Sequence, residues 1–213
     1  MTIQVARKKR DSYQHGDLRE ALVQAGLKLL SEGGVTALSL RAAAQLAGVS
    51  HAAPYRHFRD KEALVAAIAE RGFRLLTESM REELARIRAA DPRARLIALG
   101  VGYLRFALES PAYLQVIFGG VMRGDHVPPE LGVAGAEAYQ TLRDEVVAGI
   151  ASGQLRRKDA DQISLACWSM VHGLATLLIN GAAIPAPDGP AAARAMIEGL
   201  LRLLGEGLYT PTK

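Results

Sequence analysis

Residues 39–64, SLRAAAQLAGVSHAAPYRHFRDKEAL, decide the fold. Ser39 is placed to cap a helix, its hydroxyl accepting from a free N–H of the first turn, and Leu40, Ala43, Ala44 and Ala47 then recur on one face at helical spacing. Gly48 ends that helix, because glycine enters the left-handed backbone of a helix stop without a steric penalty. Val49 supplies a buried apolar residue and Ser50 a second cap, so a second helix is predicted to open at His51 and to end around Phe58 and Arg59. Pro54 falls near its first turn, where a missing N–H removes little bonding, and this helix is expected to survive, kept short. Asp60 caps a third helix, with Glu62 near its positive end and Leu64, Ala67, Ile68 and Arg71 continuing the repeat. Two short helices across a tight turn, followed at once by a third capped helix, form the plan of a helix-turn-helix DNA reader.

The distribution of charge agrees with a reader at this end. The chain has 213 residues, with 26 Lys and Arg against 22 Asp and Glu. Residues 1–72 hold 11 of the basic and 7 of the acidic side chains, and residues 73–213 hold 15 of each. All of the excess positive charge therefore lies in the first third, as expected of a protein that meets phosphates at one end and releases their counterions. Arg7, Lys8, Lys9 and Arg10 are its densest part. They read as a flexible basic arm over 1–14 that orders on the DNA backbone or in the minor groove.

Length and composition bound the rest. A hydrophobic content of 49% argues against disorder, and the length suits a small reader domain plus a larger one. A single cysteine, Cys167, excludes an internal disulfide and a Cys-based zinc cluster, and it reads as a buried inert thiol. The five histidines show no metal-ligand spacing, and neither a metal nor a cofactor is expected. With no apolar signal core after the basic N-terminus, the expected compartment is the cytoplasm. Residues 163–187 contain no charged side chain and are nominally long enough to span a bilayer. Ser164, Ser169, His172, Thr176 and Asn180 interrupt them, so a helix buried in an all-α core or a dimer interface is expected instead of a membrane span.

The remaining pattern is helical throughout, without strand-period segments or internal repeats. Leu18, Leu22, Ala25 and Leu29 mark an opening helix that ends at Gly33-Gly34. The helix begun at Lys61 continues through Leu75, Leu76, Leu84 and Ile87 towards Asp91-Pro92 and links the two domains. Helices are then expected over 93–110, 111–118, 130–152, 160–180 and 191–208, with a Gly- and Pro-rich loop over 119–129. In the last helix Met196, Ile197, Leu200, Leu201 and Leu204 share one side. Gly100 and Gly102 fall in mid-helix, at a cost of about 1 kcal/mol each relative to alanine, which implies close packing or space left for a ligand. The expected division is 1–14 arm, 15–60 reader, 61–90 connecting helix and 91–213 second domain.

The combination of Ser39-x-Arg41, Ala44, Ala47-Gly48-Val49-Ser50, Tyr55-x-His57-Phe58, Lys61 and Leu64 resembles the DNA-binding domain of TetR-type (tetracycline-repressor-like) transcriptional regulators. Farther along, Trp168-x-x-x-His172-Gly173 resembles the signature of the subgroup with a WHG-type C-terminal domain. The resemblance implies an all-α protein, with an N-terminal three-helix reader and a C-terminal helical domain for ligand binding and dimerisation. It implies a homodimer joined through helices 160–180 and 191–208, reading a palindromic double-stranded DNA operator and released by a small-molecule effector, most often as a repressor. Two readers on a two-fold axis would enter successive major grooves about 34–36 Å apart.

By the same resemblance, Ser39 and Arg41 are candidate phosphate and base contacts, Ser50 is a further candidate DNA contact, and His51, Ala52 and Ala53 open the recognition helix. Tyr55, His57 and Lys61 match phosphate contacts. Ala52 and Ala53 offer only methyl groups to thymine, so direct polar readout rests on Arg41 and His51. For the effector, Trp168 and His172 share a helix face, with Gly173 permitting close approach of another helix. Tyr103, Phe106, Tyr113 and Phe118, with Met122 and Met170, are candidates to line an apolar pocket. The opposing reading of the same residues is a packed core holding a hydrogen-bonded histidine. Two rivals from other classes are a partner-binding adaptor with a degenerate reader and a helical His172-dependent enzyme. The chain lacks the nucleophile motif, paired carboxylates or phosphate loop that the enzyme needs.

Overall fold

A computed structural model describes residues 15–88, 91–119, 128–155, 159–181 and 184–206. They divide into two compact units, one up to Leu64 and one from Val65. The described residues form helices and turns, without strands.

The first unit holds α1 (His15–Ala37), α2 (Leu40–Leu46), a 3-10 turn at Pro54–Arg56 and the opening turn of α3 (Lys61–Ala85). Its core is Leu22, Val23, Leu38, Ala43, Ala44, Phe58 and Leu64, each almost wholly buried. Gly34 breaks α1, with φ +66°, so the regular helix stops at the Gly33-Gly34 pair as expected. Ser39 caps α2: its backbone is extended and its Oγ accepts from the Ala42 N–H at 3.0 Å.

Gly48, at φ +71°, then closes α2 as a Schellman stop. Its N–H reaches the Gln45 carbonyl at 3.1 Å, and the Val49 N–H reaches back to the Ala44 carbonyl at 2.9 Å. Val49 itself is half-buried, less than the sequence suggested. Asp60 caps α3 through a 2.8 Å bond from the Ala63 N–H.

The second short helix differs from expectation. No α-helix opens at His51; residues 51–53 are turns, and Pro54–Arg56 is a single 3-10 turn. Pro54 has no N–H to give the Ser50 carbonyl, which takes the Ala53 N–H at 3.0 Å instead. The Pro54 carbonyl then accepts from both His57 and Phe58 at 2.9 Å. The turn is closed by the Ser50 backbone, and the cap expected from its hydroxyl does not form.

The second unit is built around α4 (Pro92–Glu109), which packs against α5 (Pro111–Phe118), α6 (Pro129–Ala151), α7 (Ala160–Ile179) and α8 (Gly189–Glu206). Residues 96–104 of α4 are buried without exception, because the helix is covered on all sides. Its two glycines answer the question the sequence posed. A Cβ on Gly102 would lie 2.6 Å from the Ser79 carbonyl oxygen and 2.7 Å from the Met80 Cα, so the backbones of α3 and α4 meet there. A Cβ on Gly100 would lie 2.7 Å from Ile197 of α8.

Polar ties fix the same crossings. Ser79 Oγ donates to the Gly102 carbonyl at 2.7 Å, and Arg105 reaches Ser79, Glu82 and Glu83. Arg95 forks onto Glu145, joining α4 to α6.

Several element ends move. α3 ends at Ala85, short of the residue 90 expected for the connecting helix, and residues 86–87 continue only as turns. α8 buries Ala193 and Ile197, whereas Leu204, grouped with Ile197 by periodicity, is 45% exposed. Among the described residues, α7 alone is long and apolar enough to cross a membrane by length and composition. Its Ser164, Cys167, Val171, Leu174, Ala175 and Leu178 are buried inside the unit.

Candidate functional site

Arg41, Ser50, His51, Ala52 and Tyr55 are exposed, and Tyr55 retains 55% of its surface. Ser39 is exposed too, although its hydroxyl is engaged in the cap of α2. Ala53, His57 and Lys61 are half-buried. His57 leans on Phe58, with ring centroids 6.4 Å apart, and the Arg19 guanidinium lies over the Phe58 ring at 5.7 Å. Lys61 Nζ donates to the Val35 carbonyl, tying the start of α3 to the end of α1. Arg56 shares the 3-10 turn with Tyr55, is exposed and forms no ion pair among the described residues. Sequence reading passed over it, although the local excess of positive charge could have singled it out. Arg59 is paired with Asp60 at 2.7 Å. The arm residues Arg7, Lys8, Lys9 and Arg10 lie outside the described residues.

The second unit holds a cavity of about 50 Å³ lined from α3, α4, α5, α6, α7 and α8. Tyr103, Phe118, Trp168 and Met170 line it, as the sequence suggested. His172 stands beside the lining: its Nδ1 is 2.8 Å from the Tyr103 hydroxyl, and its ring centroid is 4.5 Å from that of Phe118. Phe106 and Tyr113 are buried elsewhere in the core, Tyr113 against Gly72 of α3. Met122 lies outside the described residues. Trp168 lines the cavity while packing against Phe118 at 5.9 Å and Tyr139 at 5.6 Å.

Sequence reading missed Phe73, Leu76 and Met80 of α3 and Gly135, Ala138, Tyr139 and Leu142 of α6, all of which line the cavity. Their spacing at i, i+3, i+4 and i+7 was visible, but such a stripe is equally the mark of a plain core. Burial pushes the Cys167 thiol up to about 11, which keeps it protonated and unreactive. Burial also raises the Tyr103 phenol and lowers His172, so both are neutral near pH 7. Among the described residues, a Cβ at Gly173 would meet nothing within 4 Å, so the close helix approach expected there is not seen. Among the described residues no group of His, Cys, Asp and Glu is placed to hold a metal ion.

Residues 22–68 match the bacterial regulatory proteins of the tetR family, and residues 96–201 match the tetracyclin repressor-like C-terminal domain. The chain belongs to the TetR family. It is 27% identical over 154 residues to the HTH-type transcriptional regulator Rv1816 of Mycobacterium tuberculosis, a span of 71% of this chain and 64% of that relative. This TetR-family chain therefore covers somewhat less than two thirds of that curated relative. A solved protein of unknown function from Rhodococcus sp. RHA1 is 34% identical, with a TM-score of 0.77 over 92% of this chain and 100% of that one. The TetR family regulator PfmR of Thermus thermophilus shares the fold, at 24% identity and a TM-score of 0.66, over 89% of this chain and 99% of its own.

Proposed function

We propose that this protein is a sequence-specific DNA-binding transcriptional regulator, acting as a dimeric repressor that leaves a palindromic operator when a small molecule occupies the α4–α7 cavity. The observation that carries the reading is the exposure of Arg41, His51 and Tyr55 around a turn fixed by the Ser39 cap and the Gly48 stop. Arg41 and His51 supply polar readout of base edges, Ala52 supplies a methyl contact, and Tyr55, His57 and Lys61 anchor phosphates, joined by Arg7, Lys8, Lys9 and Arg10 of the arm. The subgroup with a WHG-type C-terminal domain is part of this reading, on Trp168, His172 and Gly173.

Dimerisation is assigned to α7 and α8, where Leu165, Leu177, Leu203 and Leu204 are each 45% exposed or more. The control element is α3, one continuous helix that begins at the reader and carries Phe73, Leu76 and Met80 into the cavity wall. An effector releases DNA only to the extent that it binds the DNA-incompetent arrangement more tightly. The cytoplasm is the compartment in which such a regulator meets DNA. The enzyme reading has no support in the cavity, whose lining contains no nucleophile and carboxylate pair.

Selection of bound sequences from random duplexes, followed by footprinting and a salt titration, tests the proposal. A two-fold symmetric footprint and a steep loss of affinity with salt are expected. A tight site whose footprint lacks two-fold symmetry would overturn it.

A further inference from the structure

Among the described residues, the cavity wall contains no Asp, Glu, Lys or Arg. A charged group placed there would shed its hydration and find no counter-ion. Aromatic residues belong to the wall, yet they do not form an open cage for an ammonium group. Phe118 stands among them, with its centroid 5.8 Å from Phe73 and 5.9 Å from Trp168 in edge-on contacts, and so spends those ring faces on neighbours. Leu96, Leu99, Ile197 and Leu201 make the wall aliphatic between α4 and α8.

Tyr103, Tyr139 and Trp168 bring a hydroxyl or a ring N–H to the lining, and the Tyr103 hydroxyl, itself hydrogen-bonded with Trp168, lies 2.8 Å from Nδ1 of His172 beside the wall. In one histidine tautomer the hydroxyl donates to Nδ1 and its oxygen accepts from a ligand; in the other, Nδ1–H donates and the hydroxyl donates onward. The pair therefore serves one uncharged oxygen, hydroxyl or carbonyl, and burial keeps both partners neutral.

The space at about 50 Å³ is far below the roughly 300–1,000 Å³ of ligand pockets, so a bound molecule must take the place of a side chain. Phe118 is the last residue of α5, and its ring meets both α3 and α7.

We propose that the cavity binds an uncharged lipophilic molecule carrying one hydroxyl or carbonyl oxygen, which sits at the Tyr103–His172 pair in place of the Phe118 ring. That this molecule acts as effector rests on the regulator reading above; its chemical class does not.

Trp168 is the only tryptophan in the chain and lines the cavity, so its emission reports occupancy directly. The full chain is titrated near neutral pH with 1-decanol and 2-decanone, and with decanoate and decyltrimethylammonium as charged counterparts. The neutral probes are expected to give a saturable change and to bind about tenfold tighter, or more, than either charged probe. Tyr103→Phe is expected to weaken 1-decanol by about fivefold. Phe118→Ala is expected to tighten it. Absence of a saturable change with both neutral probes, a charged probe binding as tightly, or an unchanged affinity in Tyr103→Phe would each overturn the proposal. DNA binding is measured separately on the same samples. Neutral probes that fill the cavity without altering DNA affinity would sink the effector role and leave the ligand class standing.

Discussion

The Tyr103 hydroxyl and His172 Nδ1 lie 2.8 Å apart, with the two rings near perpendicular at 85°. Burial lowers the His172 pKa from its ordinary 6.5, so on acidification the unfolded chain takes up this proton before the folded one does. The stabilisation from neutral His172 is therefore complete above 6.5 and is lost as pH falls from there towards the lower folded value. Melting temperatures of wild type and His172→Gln, compared at about pH 7.5 and about pH 5.5, test this, since glutamine keeps a partner for Tyr103 but does not titrate. Wild type is expected to lose more than the variant on acidification. An equal loss in both would show that His172 protonates as readily in the fold as outside it.

Two glycines in helices should respond in opposite directions to the same change. Gly102→Ala drives a methyl group into the backbone of α3 at Ser79 and Met80, which cannot swing aside as a side chain would. The expected cost is about 2–3 kcal/mol. Gly173→Ala meets nothing within 4 Å and sits inside α7, so a gain of about 0.5–1 kcal/mol is expected in the isolated chain. Denaturant midpoints measure both. A neutral Gly102→Ala would mean that α3 and α4 do not meet backbone to backbone.

What the sequence displayed and what it hid follow from the range of the interactions involved. The Ser39 cap, the Gly48 stop, the Asp60 cap and the edges of α5 are set by bonds within a few residues, and all were legible. Pro54 was misjudged for a local reason: at the fourth position after Ser50 it removes the first bond that would have made an α-turn. The cavity was half legible, because α7 carries recognisable residues, whereas the contributions of α3 and α6 are ordinary apolar stripes until the helices are brought together. Leu204 shows the limit in the other direction. Periodicity placed it with Ile197, but a repeat says which residues share a face and not how far along the helix its partner extends.

Leu177 on α7 and Leu203 on α8 remain 47% and 48% exposed in the single chain. If these helices join two copies, burying a leucine contributes about 1.5–3 kcal/mol, and a carboxylate in its place is desolvated without a partner. Leu177→Glu combined with Leu203→Glu is expected to halve the mass in solution measured by light scattering, with helix content unchanged. A double variant that keeps the wild-type mass would move the interface away from α7 and α8.

Variants at Tyr55 and His51 test the proposed roles of anchor and reader. Tyr55 is 55% exposed and contributes little to the core, so Tyr55→Phe should leave the melting temperature unchanged. Loss of one hydrogen bond to phosphate weakens DNA binding by about 1 kcal/mol, or roughly fivefold, and does so on every duplex alike. His51 is exposed beside Ala52 and is the proposed reader of base edges, so His51→Ala should weaken the selected site more than random DNA and flatten the preference at one position in each half-site. Affinities of both variants for the selected duplex, for single-base changes of it and for random DNA distinguish the two roles. If Tyr55→Phe altered sequence preference while His51→Ala weakened all duplexes equally, the assignments of anchor and reader would have to be exchanged.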